Sequence, residues 1–378
     1  MEYKKLGDIA TYINGYAFKP EQRGSEGLPI IRIQDLTGNA YDLGYYNGDY
    51  PKKVELNDGD VLISWSASLG VYLWNRGKAL LNQHIFKVVF DKVEIDKFYF
   101  MYAVEYNLDK MSLKTRGATM KHITKKDFDN VVIPYPDLDY QKEVAYRLTS
   151  LKGIIENYKK QLDLLDELVK ARFMEMFGDP VLNEKSWRVI KLGKLCSKIC
   201  SGNTPKGGSD NYTQEGLMFF RSQNVWKNRL ELDDIVYIDQ ATHEKMKETS
   251  LNYGDILITK TGRINTENSS LGRSALFLGK NDSANINGHV YLVRINSELV
   301  NRHFVLQILI SPQYRDLIRR VCVGGIDKRQ LNQNHIYDFP IIIPPLELQN
   351  QFASFVEEID KSRLLSNHSL FLIKSIIF

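Results

Sequence analysis

The sequence predicts an α+β fold in which two mainly β regions are each followed by one long helix. Three observations predict it: a heptad-like apolar pattern near the middle of the chain, a second one at its end, and an internal repeat. A length of 378 residues suits about two domains that each bury a core. We predict globular domains over residues 1–137 and 179–345, a central helix over 138–178 and a shortened C-terminal helix over 346–378.

The long helices are predicted from apolar residues spaced three and four apart. Between Leu138 and Phe177 no proline interrupts the pattern, so we expect one helix of about 40 residues, about 60 Å long. Such a stripe needs a partner, and the C-terminal stripe supplies one, with Arg363 and Ser366 at two of its positions. The predicted packing residues are Leu148, Leu151, Ile155, Leu162, Leu165, Val169, Val356, Ile359, Leu370, Ile373 and Ile377.

The two halves of the chain repeat the same motifs in the same order. Short runs rich in β-branched residues alternate with Gly, Asn and Asp turns in both, with helical segments between them, which favours α+β regions. The motif order indicates an internal duplication. The matching segments are Lys5–Gly7 with Lys191–Gly193, Leu56–Ser64 with Leu251–Thr259, Asn82–His84 with Asn287–His289, and Leu138–Gln141 with Leu346–Gln349.

Composition and charge set broad limits on function. The net charge of +4 is small, but residues 179–345 contain 22 basic and 17 acidic side chains, whereas residues 1–137 contain 18 of each. Three cysteines, an odd number, favour a reducing compartment over a disulfide framework. No apolar run approaches the ~18 residues of a membrane span. We therefore predict a cytoplasmic protein without membrane association.

Motifs for catalysis, cofactors and metals are missing. The sequence has no Gly-x-x-x-x-Gly-Lys-Ser/Thr loop, no Gly-x-Gly-x-x-Gly turn and no Gly-x-Ser-x-Gly elbow. Cys196 and Cys200 have no second ligand pair at zinc-finger spacing. His84 and His289 recur, but no second titratable residue repeats beside them. We predict no catalytic residue, no bound cofactor and no metal site.

Polar and basic residues recur in the loops between the predicted strands. Basic side chains on glycine-containing loops suit phosphates, and Arg, Gln and Asn suit base edges, so these loops predict DNA contact. Charged loop residues are often only solvated, and recurrence in both halves favours contact. The candidates are Arg32, Gln34, Ser64, Trp65, Ser66, Ser68, Lys78, Asn82, Gln83, His84, Lys114, Arg116, Lys121 and His122 in the first region, and Arg221, Gln223, Asn224, Lys260, Thr261, Arg263, Arg273, His289, Lys328, Arg329 and Gln330 in the second.

Several of these motifs together resemble the specificity subunit of Type I restriction-modification systems. They are the Leu6-Gly7 opening, the Gly-Asp-Val-Leu-Ile-Ser-Trp-Ser run at Gly59–Ser66, the Leu-Leu-Asn-Gln-His segment Leu80–His84, and Ile133–Gln141 leading into the helix. The resemblance covers nearly the whole chain. It implies two tandem target-recognition domains, each reading half of a bipartite DNA sequence, and two antiparallel coiled-coil helices that space them and dock other subunits.

The resemblance also implies partners. These are double-stranded DNA, two methyltransferase subunits, which would carry S-adenosylmethionine, and restriction subunits that join through the complex. The specificity subunit itself performs no chemistry. Two other classes remain open. A stand-alone DNA-modifying enzyme would need a nuclease carboxylate set or an Asn-Pro-Pro-Tyr pocket, and neither is found. A coiled-coil scaffold without DNA would leave the recurring polar loops unexplained.

Overall fold

The computed structural model describes residues 2–39, 42–114, 124–264, 266, 268–325 and 327–377, without the side chains of 109–114, 374, 376 and 377. The chain divides into two compact units. The first comprises Met1–Asn157 with Ile373–Phe378, and the second comprises Tyr158–Leu372. In the described part of the chain, no helix has both the length and the apolar character that crossing a membrane requires.

The first repeat contains ten strands, four shorter helices and then the central helix. In chain order they are β1 (Glu2–Lys5), α1 (Leu6–Ile9), β2 (Thr11–Asn14), β3 (Leu28–Ile31), α2 (Ile33–Thr37), β4 (Tyr45–Tyr46), β5 (Glu55–Leu56), β6 (Val61–Ser64), β7 (Gly70–Leu73), β8 (Ala79–Leu81), β9 (Ile85–Val89), α3 (Lys97–Lys114), α4 (Lys125–Asp129), β10 (Val132–Tyr135) and α5 (Leu138–Phe177), within the described residues.

The second repeat follows the same plan. Its described elements are β11 (Arg188–Lys191), β12 (Cys196–Ser201), β13 (Leu217–Phe220), β14 (Val236–Ile238), α6 (Gln240–Lys245), β15 (Ile256–Thr259), β16 (Thr261–Arg263), β17 (Ser274–Leu276), β18 (Ala284–Ile286), β19 (Val290–Ile295), α7 (Arg302–Ile310), α8 (Pro312–Val321), β20 (Val323–Gly324), β21 (Lys328–Gln330), α9 (Gln333–Tyr337), β22 (Pro340–Ile343) and α10 (Leu346–Ile377).

Sheet topology confirms the predicted α+β duplication. The antiparallel sheet ordered β2-β9-β6-β7 in the first repeat has its counterpart in β12-β19-β15-β17. A second sheet in each repeat contains one parallel pair, β3 with β8 and β13 with β18. The first and last strands of each repeat also pair, β1 with β10 and β11 with β22. Each region is therefore closed by its own terminal strands just before its long helix begins.

A buried glutamine ties each long helix to the region before it. The Gln141 side chain accepts a hydrogen bond from the Asp96 backbone N–H at 2.9 Å, and Gln349 accepts one from Asn301 at 3.0 Å. Both amide groups also donate at 2.8 Å to the carbonyl of a proline ahead of the helix. Because both glutamines are at most 1 % exposed, these bonds fix where the helix leaves the domain. The repeated Leu-x-x-Gln motif is thus a structural joint.

The predicted helix over Leu138 to Phe177 is confirmed, and its C-terminal part packs within the second unit. Phe173 and Phe177 contact the Phe352 ring of α10 at centroid distances of 5.5 and 5.7 Å. Farther along α10, Arg363 forms an ion pair with Asp166. Contacts therefore move backwards along α5 as they move forwards along α10, so the two segments are antiparallel within this unit.

The predicted packing positions are the less exposed ones along both helices. Val169, Val356 and Ile359 belong to the core cluster of the second unit. Leu364 and Leu365, which fall outside the stripe, are 73 % and 69 % exposed. The remaining predicted positions Leu148, Leu151, Ile155, Leu162, Leu165, Leu370 and Ile373 are half-buried, and the Ile377 side chain lies outside the described residues.

Candidate nucleic-acid interface

In the first region, some of the sequence-predicted residues line one cleft of about 410 Å³. Gln34, Ser68, Gln83 and His84 are exposed there. Amide, hydroxyl and imidazole groups of this kind can donate and accept hydrogen bonds at base edges. The predicted residues that line it are Arg32, Gln34, Ser68, Asn82, Gln83 and His84, and they are joined by Arg23, Ile33, Thr37, Asn39 and Ala67.

Close backbone packing holds the loops of this cleft together. A Cβ atom at Gly15 would lie 1.9 Å from the Asn82 carbonyl oxygen, so only glycine allows the β2 end to approach that loop. His84 has φ of +72°, which turns its side chain out of the β8–β9 connection. The Trp65 ring lies 5.1 Å from the His84 ring, and the Trp65 backbone N–H donates to the His84 carbonyl at 3.3 Å.

Two first-region candidates support the loops instead of facing a ligand. Arg32 is 7 % exposed; its Nε donates to Asp35 at 3.0 Å and its Nη2 donates to the Asp42 carbonyl. The hydrogen bond with Asp35 raises the pKa of Arg32. Ser64 is fully buried and donates to the Ser68 carbonyl. The polar groups of these two side chains are already used inside the protein, and DNA contact by them stays a prediction.

The other first-region candidates divide by position. Asn82 is 8 % exposed, so it lines the cleft wall with little surface to offer. Lys78 is exposed but lies 3.3 Å from the Glu55 carboxylate and does not line the cleft. Trp65 and Ser66 are half-buried. The predicted Arg116, Lys121 and His122, and the side chain of Lys114, lie outside the described residues.

In the second region, predicted residues meet on a small sheet formed by β16, β21 and β20. Arg263 stands opposite Lys328, Thr261 opposite Gln330, and Gly262 opposite Arg329. Arg263, Lys328 and Gln330 are exposed. Like charges directly opposite each other destabilise a pair of strands, and a bound anion would relieve that repulsion. We call this surface, consisting of Thr261, Arg263, Lys328, Arg329 and Gln330, the basic sheet.

Neighbouring candidates adjoin the basic sheet through backbone bonds. The Lys260 N–H donates to the His289 carbonyl at 2.8 Å, and the Lys260 Nζ lies 5.4 Å from the Tyr291 ring centre. Arg329 Nη1 is 3.4 Å from the Arg319 carbonyl at the end of α8. The surface therefore combines cations from two strands, with Arg329 held by a carbonyl near the C-terminal end of α8, and such a row of cations suits a phosphate backbone.

Arg221 and Gln223 form a separate group in the second region. Arg221 Nη2 donates to the backbone carbonyl and the carboxylate of Asp234. Gln223 Nε2 lies 3.3 Å from that carboxylate. Asn224 is fully buried, and its side-chain oxygen accepts a hydrogen bond from the Arg221 backbone N–H at 2.9 Å. Asn224 corresponds to Asp35 of the first region. The Asp35 carboxylate accepts a hydrogen bond from the Arg32 backbone N–H at 2.8 Å. The Asn224 side chain thus bonds within its own loop, and DNA contact by it stays a prediction.

Arg273 is also a structural residue. It is 6 % exposed, and its guanidinium carbon lies 3.6 Å from the Trp226 ring centre. Its Nε donates to the Ser269 carbonyl at 3.1 Å, and its Nη2 donates to the Asn268 carbonyl. Burial lowers the pKa of Arg273. The Arg273 side chain thus holds the loop before β17, and DNA contact by it stays a prediction.

The described residues contain no group of three His, Cys, Asp or Glu side chains placed to hold a metal ion. What the two surfaces present is hydrogen-bonding groups in the first region and positive charge in the second. A model of the Type I restriction modification DNA specificity domain matches residues 1–166 and 184–373. The chain belongs to this family. Each repeat of the chain is thus one specificity domain, and the protein is the recognition component of a restriction system, not its catalytic component.

Relatives in this family are similar over most of their length. The MjaVIII specificity subunit of Methanocaldococcus jannaschii is 22 % identical over 375 residues, covering 95 % of this chain and 86 % of the relative. The EcoBI specificity subunit of Escherichia coli is 21 % identical over 385 residues, covering 94 % and 78 %. The crystal structure of a Type I S subunit from M. genitalium covers 100 % of this chain and 93 % of its own, with TM-score 0.60 and 14 % identity. These matches agree with the fold of a specificity subunit.

Sequence reasoning missed residues at both surfaces. Arg23, Thr37 and Asn39 line the first cleft, and Arg319 adjoins the basic sheet. None of them lies in a motif that recurs between the repeats, which was the signal used to select candidates. The two arginines four residues apart on the amphipathic helix α8, Arg315 and Arg319, could have indicated Arg319.

Proposed function

We propose that the first-region cleft and the basic sheet are the surfaces with which this specificity subunit reads the two halves of a bipartite DNA target. One observation carries the proposal: the same scaffold recurs in both regions, while most exposed groups on its loops differ, the equivalent pairs Gln34 with Gln223 and His84 with His289 being the exceptions. Gln34, Gln83 and His84 are exposed in the first region, and Arg263, Lys328 and Gln330 in the second. Different exposed groups on one scaffold imply two different half-sites, and hence an asymmetric target.

We further propose how the two readings combine. Two readers joined by long helices bind jointly, because engagement of one half-site raises the effective concentration of the other reader. The helices would fix the spacer between the half-sites and dock two methyltransferase subunits, with restriction subunits joining through the complex. S-adenosylmethionine would bind to the methyltransferase subunits. The isolated chain should therefore show no methyl transfer.

Exchange of one region tests the proposal. Residues 186–337 would be replaced by the same region of a relative, and the chimera would be expressed with its methyltransferase partner. Mapping of methylated adenines in the cells should show one half of the target changed and the other half kept. The matched control exchanges residues 1–137, which should alter the opposite half. A change in both halves after either exchange would show that the regions do not read separately.

A further inference from the structure

We propose that the second unit contains a phosphate-binding cavity built around Arg315, separate from the basic sheet. The cavity has a volume of about 500 Å³ and lies among α5, α7, α8 and α10. Its charged lining consists of Lys170, Lys227, Arg315, Arg319 and Arg363 against Asp166 and Asp316. Glu167 and Asp360 outside the lining also pair with two of these cations, so the cavity keeps a small positive excess that is attractive to an anion.

Arg315 is the residue whose environment indicates a bound ligand. Its side chain is nine-tenths buried, and its Nη1 has no hydrogen-bond partner among the described residues. A buried guanidinium without acceptors loses its hydration and gains nothing in return. Burial, together with the nearby Arg319 and Arg273, lowers the pKa of Arg315 to about 10, so it still carries its charge at neutral pH. An oxyanion in the cavity would supply the missing acceptors.

Two other arginines of this unit show how a buried guanidinium is satisfied. Arg273 donates to backbone carbonyls and stacks on Trp226. Arg294 forms a two-pronged pair with Asp255, both bonds at 2.8 Å. In the cavity, by contrast, Arg315 Nη1 and the buried Arg319 Nε both lack a partner among the described residues.

The neighbouring cations of the cavity have carboxylate partners of their own. Lys170 pairs with Glu167 at 2.7 Å, and Arg319 pairs with Asp316 at 2.8 Å. Arg363 pairs with Asp166 and with Asp360. These pairs hold positive groups around the cavity at fixed positions, so an incoming anion needs little rearrangement to bind.

The helix that carries Arg315 favours a doubly charged oxyanion. Arg315 and Arg319 are four residues apart on α8 and share one face, where like charges repel. Ser311 and Pro312, at the positive N-terminal end of this ten-residue helix, also line the cavity. Gly272, with φ of +61°, lets α8 come close, since a Cβ there would lie 3.3 Å from Arg315 Nη1. A doubly charged phosphate could interact with both guanidinium groups, those of Arg315 and Arg319, and with the N-terminal end of α8.

The phosphate has two possible sources: a free phosphate or nucleotide, or the DNA backbone. The first test needs no DNA and does not rest on the proposed function. The full chain would be titrated with inorganic phosphate against chloride at matched ionic strength while its Tm is followed. At ten times Kd we expect a rise of about 3–6 °C for the wild type.

The variants separate a ligand site from a structural arginine. Arg315→Met should lose the phosphate response, and without phosphate its Tm should equal or exceed that of the wild type, because an unpaired buried charge has been removed. Arg320→Met is the matched control, since Arg320 is exposed on the same helix and does not line the cavity; it should respond as the wild type does. A phosphate response retained in Arg315→Met, or absent in the wild type, would overturn the proposal.

A measurement on the wild type covers the case in which Arg315→Met does not fold. Phosphate should protect Arg315, and not Arg320, from modification by a guanidinium-specific dicarbonyl reagent, as read by peptide mass spectrometry. Equal modification with and without phosphate would overturn the site. DNA binding then assigns the source. A salt slope of Arg315→Met shallower by about one unit assigns the phosphate to DNA, and an unchanged slope assigns it to the free anion.

Discussion

In the first region Asp60 pairs with Lys87 at 2.8 Å, and in the second region Asp255 pairs with Arg294 at the same distance. Ser64 and Thr259, at equivalent strand ends, each donate to a backbone carbonyl in the following loop. The two specificity domains thus keep the same internal bonds with different residue types. Sequence divergence has been tolerated where the bond geometry is kept, which is why the two regions share a topology.

The exposed groups follow a different rule. The first-region cleft offers amide, hydroxyl and imidazole groups, whereas the basic sheet offers guanidinium and ammonium groups. The surplus of basic residues lies entirely in the second region, with 22 basic and 17 acidic side chains over residues 179–345. We expect the first region to contribute more to base discrimination and the second more to salt-dependent affinity.

The largest expected effect comes from changing the helix between the two regions. Inserting four residues after Asp163 adds about one turn and about 6 Å to α5. With DNA rising about 3.4 Å per base pair, the spacer should widen by at most about two base pairs. Both half-sites should stay the same, because no reading loop is altered. Mapping of methylated sites before and after the insertion measures this.

Inserting two residues at the same place is the control. It would rotate Leu165 and Val169 by more than half a turn, so the apolar stripe of α5 would leave its partner. We expect lost stability or lost methylation in place of a new spacer. An active four-residue variant with an unchanged spacer would show that the helices do not set the distance between half-sites.

The next effect separates the two ion pairs formed by the equivalent residues Asp60 and Asp255. The Asp255 side chain is 1 % exposed and Arg294 27 %, whereas Asp60 is 21 % exposed and Lys87 15 %. Asp255→Ala leaves a half-buried guanidinium without its partner and should cost about 3–5 kcal/mol of unfolding free energy. Asp60→Ala, whose pair is more solvated, should cost about 1–2 kcal/mol. Hydrogen exchange resolved by region would measure both, and equal losses would contradict the difference in burial.

A smaller effect concerns DNA affinity. Arg263→Gln and Lys328→Gln should each weaken binding on all sequences and make the salt slope shallower by about one unit, if each contacts one phosphate. Gln83→Ala in the first-region cleft should leave the slope unchanged and cost about 1–3 kcal/mol at one base pair. Fluorescence anisotropy at several salt concentrations distinguishes the two patterns. A slope changed by Gln83→Ala would remove the contrast between the regions.

The duplication and the long helix could be predicted because each leaves a pattern that does not depend on tertiary contacts. The repeat fixed the order of Leu56–Ser64 and Leu251–Thr259, and the apolar period fixed the helix from Leu138 to Phe177. The two sheets of each region could not be paired from sequence, since β3 and β8 are parallel neighbours separated by about fifty residues. Such pairings depend on long-range packing.

The site residues show where sequence reasoning fails. Arg32, Ser64 and Asn224 have the chemistry of DNA-contacting residues and stand at recurring positions, where the scaffold uses their polar groups. Arg273 is used by the scaffold in the same way, although its counterpart in the first repeat is Val71. Recurrence between repeats selects what both copies share, which is folding, whereas recognition lies in what differs. The exposed His84 and Lys328 were found because they stand beside the shared bonds, not because they form them.

The smallest expected effect lies in the stripe of α10, where Arg363 stands at a position that Ile155 occupies in α5. The Arg363 side chain is 15 % exposed and is held between Asp166 and Asp360. Replacing a mostly buried ion pair with an apolar residue of similar size is often neutral or stabilising, because the desolvation cost of the charges disappears. Arg363→Leu should therefore change the unfolding free energy by less than about 1 kcal/mol, although it leaves Asp166 and Asp360 unpaired at exposed positions.

The matched variant Asp166→Ala keeps the buried guanidinium and removes one partner, so it should destabilise more than Arg363→Leu does. Chemical denaturation of both variants measures the order. If Arg363→Leu were the more damaging of the two, the ion pair would be a determinant of stability in this unit, and the polar interruption of the stripe would have to be counted among the contacts that hold α5 and α10 together there.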